Sequence, residues 1–213
     1  MVYVKASERR RQFVHAAREV MAREGVSGTT LRGVAAEADV PLGTLHYAFA
    51  TKDLLMQAVI EDVMAEISEV LQATADVDGG LEHALRQGLD DYWQRMVVGK
   101  PQEQLMQHEL LIHALRTPGM ESLARWQMDR YCRIVAAWCQ EAASNAAETC
   151  AVPFDTLARV IVAAVIGIVL QYVADPDERR SQEDLQATIE MVLAMAGVRP
   201  ARRSARTAGR NGA

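Results

Sequence analysis

Apolar residues recur every three or four positions along most of this chain, and almost nowhere with the period of two that marks strands. The stripe Val14, Ala17, Val20 and Met21 predicts a helix over about Ser7 to Glu24, with Gly25 as its closing residue. Residues 1–6 are expected to be loose. Leu31, Val34, Ala35 and Ala38 predict a short second helix, N-capped by Thr29 or Thr30. Asp39-Val40-Pro41 breaks it, because the residue before proline avoids the α region and proline suits the first turn of a new helix. Leu42 to Phe49 then forms a third helix, with Leu45 and Phe49 facing inward. Leu54, Leu55, Ala58, Val59, Val63, Ile67, Val70 and Leu71 mark a long fourth helix from Lys52 to about Ala73. Asp76 to Gly80 reads as a turn; a calcium loop is rejected there because its twelfth position is Gln87 rather than Glu.

The pattern continues to the end. Leu81, Leu85, Leu89, Tyr92, Trp93 and Met96 predict a helix over residues 81–98, and Pro101 opens another to about Arg116. Thr117-Pro118-Gly119 separates it from a long helix over roughly residues 120–146. Pro153 starts a helix to about Ala174, ended by Asp175-Pro176-Asp177, and the last spans about Gln182 to Ala196, closed by Gly197. The fold class is therefore all-α. Val160 to Leu170 is apolar nearly all round, so that helix needs cover on both sides. A second copy of the chain is the expected cover, across an interface of Val160, Ala164, Gly167, Ile168 and Gln171 with Leu185, Ile189, Val192 and Leu193. A central helix of a monomeric bundle is the alternative. The same stretch is read as too short to span a bilayer, and Arg9-Arg10-Arg11 does not lead into a signal sequence, so a cytoplasmic protein without a membrane partner is expected.

The run Thr29 to Phe49, TTLRGVAAEADVPLGTLHYAF, carries function as well as fold. It is a helix, a tight turn and a second helix with a small, polar start, which is the form a major groove accepts. Thr44, His46 and Tyr47 can hydrogen-bond phosphate, Thr44 can also touch a base edge, and Lys52 supplies a cation at the next helix start. The order Arg23-Glu24-Gly25, Thr30-Leu31-Arg32, Val34-Ala35, Gly43-Thr44-Leu45-His46-Tyr47, Phe49 and Thr51-Lys52-Asp53-Leu54-Leu55 resembles the tetracycline-repressor (TetR) family over roughly the first 60 residues. The resemblance implies an all-helical homodimer. It would have a three-helix DNA-binding domain over residues 1–51 and a helical effector-binding and dimerisation domain over 52–198. It also implies double-stranded operator DNA as partner, with Thr44, His46, Tyr47 and Lys52 where family members contact it; Thr30, Arg32, Leu42 and Gly43 are expected to join them. His46 stands where the family often has tyrosine, and Ala48 where histidine or tyrosine is common.

Charge sharpens this picture. The net charge of −5 divides unevenly: residues 1–52 hold 8 Lys or Arg against 5 Asp or Glu, and residues 53–198 hold 10 against 23. A basic head on an acidic body suits a protein that meets nucleic acid at one end. Residues 199–213, with 5 Arg and no acid, read as a disordered basic tail. Cys132, Cys139 and Cys150 are odd in number and fit no metal ligand set, so they read as reduced thiols, with redox sensing as the lesser reading. His108 and His113 are five apart, too far round a helix to grip one ion from one face. With no phosphate loop or nucleophile elbow either, neither an enzyme nor a cofactor or metal site is expected.

A small-molecule effector is expected in the second domain. Trp93, Met96, Met106, His113, Met120, Tyr131 and Trp138 lie on helices able to surround a cavity, with Tyr92 and Leu105 nearby, and such side chains suit a mostly apolar compound. His108, Glu109 or His113 can orient a polar end, although each of these residues also fits a plain core role. The sequence thus reads as a homodimeric transcriptional regulator, most simply a repressor. Its rivals are a helical ligand-binding protein whose head no longer reads DNA, and a helical-bundle enzyme.

Overall fold

The first apolar stripe becomes α1 (Ala6–Gly28), which buries Phe13, Val14, Ala17, Val20 and Met21. In this computed structural model, which describes residues 6–74 and 79–201, α1 breaks at Gly25. The φ of 76° and ψ of 158° at Gly25 lie in a region that only glycine enters readily. α2 (Leu31–Glu37) is capped by Thr30, whose Oγ1 accepts the Gly33 N–H at 3.0 Å. Thr29 is buried instead and donates its hydroxyl to the Gly25 carbonyl at 2.8 Å. Asp39, at φ 52°, turns the chain into α3 (Leu42–Ala48) behind Pro41. Leu45 and Phe49 are fully buried beneath it; α2 packs against both α1 and α3, and α1 packs onto α4 (Lys52–Thr74).

The rest of the chain builds a second helical layer. α5 (Gly80–Tyr92) runs into a π-helical turn (Trp93–Val97), where the Val98 N–H donates to the Trp93 carbonyl at 3.0 Å. α6 (Pro101–Arg116) follows, then α7 (Glu121–Asn145), α8 (Phe154–Ala174) and α9 (Glu178–Ala196). α7 packs against α5, α6 and α8, while α9 covers α5 and α8. α6 also lies along α1, so the small head rests on the large bundle through α4 and α6 together.

Several expectations change. α9 begins at Glu178 rather than Gln182, because Asp177 accepts the Arg180 N–H at 2.9 Å and caps it before the apolar stripe starts. Arg199 and Pro200 pair as a short antiparallel strand, β2, with β1 (Glu148–Thr149), so the first residues of the expected disordered tail are ordered. Residues 202–213 of that tail lie outside the described residues, as do residues 1–5 and most of the turn expected over 76–80. Just before that pair closes, the Glu148 carboxylate accepts the Leu81 N–H at 2.8 Å and supplies the cap that the start of α5 lacks locally. α8 is longer than its all-round apolar centre: its 21 residues, with a most apolar window of mean hydropathy 2.2, reach the length and composition of a membrane-crossing helix. Only 33% of that apolar window is buried within the single chain.

Gly25→Ala is expected to destabilise the protein by about 1–3 kcal/mol through backbone strain. The new Cβ would also stand 3.3 Å from Glu109 Oε2. A lower urea midpoint at unchanged slope is the expected reading; an unchanged midpoint would remove the strain argument.

Candidate DNA-facing surface and ligand cavity

α3 exposes its polar side because its apolar anchors, Leu45 and Phe49, lie on the other. Tyr47 is 96% exposed, the highest value for any large hydrophobic side chain described. His46 and Gly43 are also exposed, Leu42 and Thr44 are half-buried, and a Cβ at Gly43 would meet open space. Thr30 and Arg32 stand exposed at the start of α2, with the Thr30 hydroxyl engaged in the cap. Lys52 is not a free cation: its Nζ donates to the Val26 carbonyl at 2.6 Å, and burial lowers its pKa. Arg10, in the basic run at the start of α1 that the sequence reads as either a phosphate contact or a solvated basic end, has its guanidinium 4.4 Å from the centre of the Phe49 ring.

The turn after Gly25 binds the head to the bundle. The Val26 N–H donates to Glu109 Oε2 of α6 at 2.8 Å, while its carbonyl takes Lys52 from α4. Nearby, Arg18 of α1 reaches Asp62 at 2.8 Å, Glu66 at 2.9 Å and Glu103 at 3.1 Å, joining α4 and α6. Burial opposes the charge on Arg18, but hydrogen bonds and attraction from Asp62 and Glu66 outweigh it and hold its pKa up. Glu109, offered by the sequence as an orienter for a ligand, is instead a clasp on the head.

Residues of α4, α5, α6, α7 and α8 enclose a cavity of about 90 Å3. Its apolar wall includes Leu71, Leu89, Leu111, Val135, Ile161 and Val165, and its polar groups come from Tyr92, Gln104, Gln107, His108, Gln127, Tyr131 and Trp138. Of the expected effector residues, Tyr131 and Trp138 line it. Trp93, Met96, Met106 and Met120 are core residues away from the wall, and half-buried His113 is not on it either. Trp93 meets Tyr172 of α8 edge-on at 5.6 Å, so it locks two helices together. The π-helical turn and the register of α6 decide which faces reach the cavity, and periodicity alone does not carry that information. Trp138 lies directly on α5: a Cβ at Gly88 would clash with its indole ring at Cζ2. Beyond Trp138 and Leu71, which belong to both walls, a second hollow of about 280 Å3 opens between α4 and α7, with Arg130, Arg133 and Glu141 at its rim.

The apolar face of α8 divides the expected interface residues. Val160, Ala164 and Gly167 are half-buried and Gln171 and neighbouring Leu170 exposed, and a Cβ at Gly167 would meet nothing within 4 Å. Ile168, Leu185, Ile189 and Val192 instead fill the chain's own core, because α9 turns that stripe towards α5 and α8. Leu193 is half-buried, and the outward apolar residue of α9 is Met191, 52% exposed. The three cysteines are free, and burial pushes the Cys139 thiol up to about 12, which leaves it a poor nucleophile.

A family model described as "Bacterial regulatory proteins, tetR family" matches residues 13–59, and a second, "Tetracyclin repressor-like, C-terminal domain", matches residues 81–195. The chain is 28% identical over 195 residues to the HTH-type nicotine-responsive transcriptional repressor HdnoR of Paenarthrobacter nicotinovorans, covering 92% of this chain and 99% of that one. The multidrug binding protein EbrR, solved with ethidium, is 30% identical with a TM-score of 0.61, covering 85% of this chain and 98% of that one. A TetR-family regulator from Rhodococcus shares the fold at 17% identity, with a TM-score of 0.75 over 89% of this chain and 99% of that one.

Gly88→Ala is expected to force the Trp138 indole off α5 and into the cavity. The variant should stay folded yet change its tryptophan emission and lose small-ligand binding; wild-type emission and binding would show that the indole does not depend on Gly88.

Proposed function

This chain belongs to the tetR family of bacterial regulatory proteins, and we propose that it acts as a homodimeric repressor released from a near-palindromic operator by a small, mostly apolar effector. It is a transcriptional regulator by family; the dimer, the release and the effector are the proposal. Residues 1–51 form the DNA-binding head, and residues 52–198 the effector and dimer domain. Two copies of α3 enter successive major grooves about one helical turn apart, roughly 34–36 Å. Gly43, Thr44, His46 and Tyr47 make the closest approach, with Thr30, Arg32 and Leu42 beside them. Lys52 serves the head mainly as a tether to Val26. The acidic body keeps the remaining surface away from DNA and orients the approach.

The dimer forms through the uncovered side of α8. Val160, Ala164, Gly167 and Gln171 meet their copies there, with Leu170, Met191 and Leu193 alongside. The low burial of α8 in the single chain supports this, since an apolar helix surface of that size is seldom left to water. Gly167 allows close approach of the two backbones. A cytoplasmic location follows from the DNA partner.

The observation that carries the proposal is the position of α6. His108 lies on the cavity wall, while Glu109, the next residue, holds the Val26 N–H at the base of the head. A ligand that moves α6 therefore loosens the grip on α1 and changes the separation of the two α3 helices. The effector acts because it prefers that second arrangement, and DNA weakens effector binding by the same factor. The nicotine response of HdnoR and the ethidium complex of EbrR support a small ring compound as the effector.

Selection from a random duplex pool at near-physiological salt is expected to return a palindrome; recovery of no sequence preference would count against the repressor. Tyr47→Ala and Thr44→Ala should each weaken operator binding roughly tenfold, about 1.4 kcal/mol, without shifting the thermal unfolding midpoint. Tyr47 is almost wholly exposed, so a lower midpoint would point to a structural role instead. Glu109→Ala should leave effector affinity intact but reduce the factor by which effector lowers operator affinity, a factor expected to lie near 5–150 in the wild type. An unchanged factor would move the coupling to the Arg18 cluster.

A further inference from the structure

Folded proteins rarely leave buried polar atoms without a partner, and each exception asks for a reason. Among the described residues three buried side-chain atoms lack one: His108 Nε2, Gln127 Oε1 and Trp138 Nε1. All three belong to residues of the cavity wall. Their roles are fixed by their neighbours. His108 Nδ1 stands 2.7 Å from the Gln104 carbonyl, which can only accept, so Nδ1 donates and neutral Nε2 is an acceptor. Gln127 Nε2 donates to the Tyr131 hydroxyl at 3.4 Å, which leaves Oε1 as an acceptor. Trp138 Nε1 is a donor only.

The unpartnered atoms on the cavity wall are therefore two acceptors and one donor, set among apolar residues. No Asp, Glu, Lys or Arg lines it. The carboxylate nearest in effect is Glu66, whose charge is felt by Tyr92, and Arg18 already pairs with it. A buried cation would thus find no carboxylate on the wall to pair with, and an anion no lysine or arginine. At about 90 Å3 the space is smaller than the roughly 150 Å3 that accepts benzene, so even a one-ring occupant requires the wall to yield.

Resting on the regulator reading above, we infer that the effector is a small neutral ring compound carrying a primary carboxamide. Its ring meets the apolar wall, its two N–H groups donate to His108 Nε2 and Gln127 Oε1, and its carbonyl accepts from Trp138 Nε1. A site with buried unpaired acceptors rejects an analogue that lacks the donor, because binding then seals those atoms away from water.

Calorimetric titration of the full chain with benzamide, N,N-dimethylbenzamide and benzyltrimethylammonium tests this. Benzamide is expected to bind at least tenfold more tightly than the dimethyl compound, with the cation weakest. His108→Phe and Gln127→Leu, each checked for wild-type circular dichroism, should shrink that ratio towards one. Equal binding of the two amides, tighter binding of the cation, or a ratio that survives both substitutions and is therefore steric, would overturn the assignment. So would failure of all three probes to bind. Operator recovery from the duplex pool reports separately on the regulator, so a palindrome beside any of these failures would sink the ligand class alone.

Discussion

The backbone of Val26 is the point on which the arrangement of the molecule turns. α1 breaks at Gly25, so the next N–H and carbonyl lose the partners that a continuing helix would give them. Backbone groups left unpaired in a part-buried place are costly, and two distant side chains satisfy them: Glu109 from α6 and Lys52 from α4. The head is thereby held to the bundle by a backbone demand rather than by a large apolar seam alone. The Arg18 cluster adds a second hold on the same two helices. Because hydrogen bonds to charged groups are strongly directional, a small rotation of α6 or α4 is felt at the end of α1.

The cavity follows a related logic with the opposite outcome. Around Val26 both backbone groups find partners within the chain. Around the cavity three buried polar atoms of the described residues are left without a partner in the chain, among mostly apolar neighbours. Such a site is poised to gain from a ligand that completes it. α6 carries elements of both regions one residue apart, at His108 and Glu109, so completing one can disturb the other.

α8 shows how one helix can serve two demands. Its inward residues, among them Leu157, Ile161, Ile168, Val169 and Tyr172, belong to the chain's core and press on Trp93 and the neighbouring helices. Its other side keeps small or apolar residues uncovered, and a Cβ at Gly167 there would meet nothing within 4 Å. The same composition makes it resemble a membrane-crossing helix by length and hydropathy, although α7 and α9 pack along it.

The sequence by itself determined the helices, their order and the head, because those depend on local facts: periodicity, Thr30 as a cap, Pro41 after a turn, Leu45 and Phe49 at helical spacing. The surface residues of α3 were equally legible, since a helix with two anchors has a known outer side. Tertiary structure alone decided which face of each later helix met the cavity, the core or the outside. Trp93, Met96, Met106 and Met120 could not be told from cavity residues, because apolar side chains look alike until packing assigns their neighbours. Leu185, Ile189 and Val192 were taken by the core for the same reason. The pairing of Glu109 with Val26 spans 83 positions, Lys52 with Val26 spans 26, and Glu148 with Leu81 spans 67. Such long-range satisfaction of backbone groups leaves no periodic trace, because it depends on where helices come to rest and not on the order of residues within them.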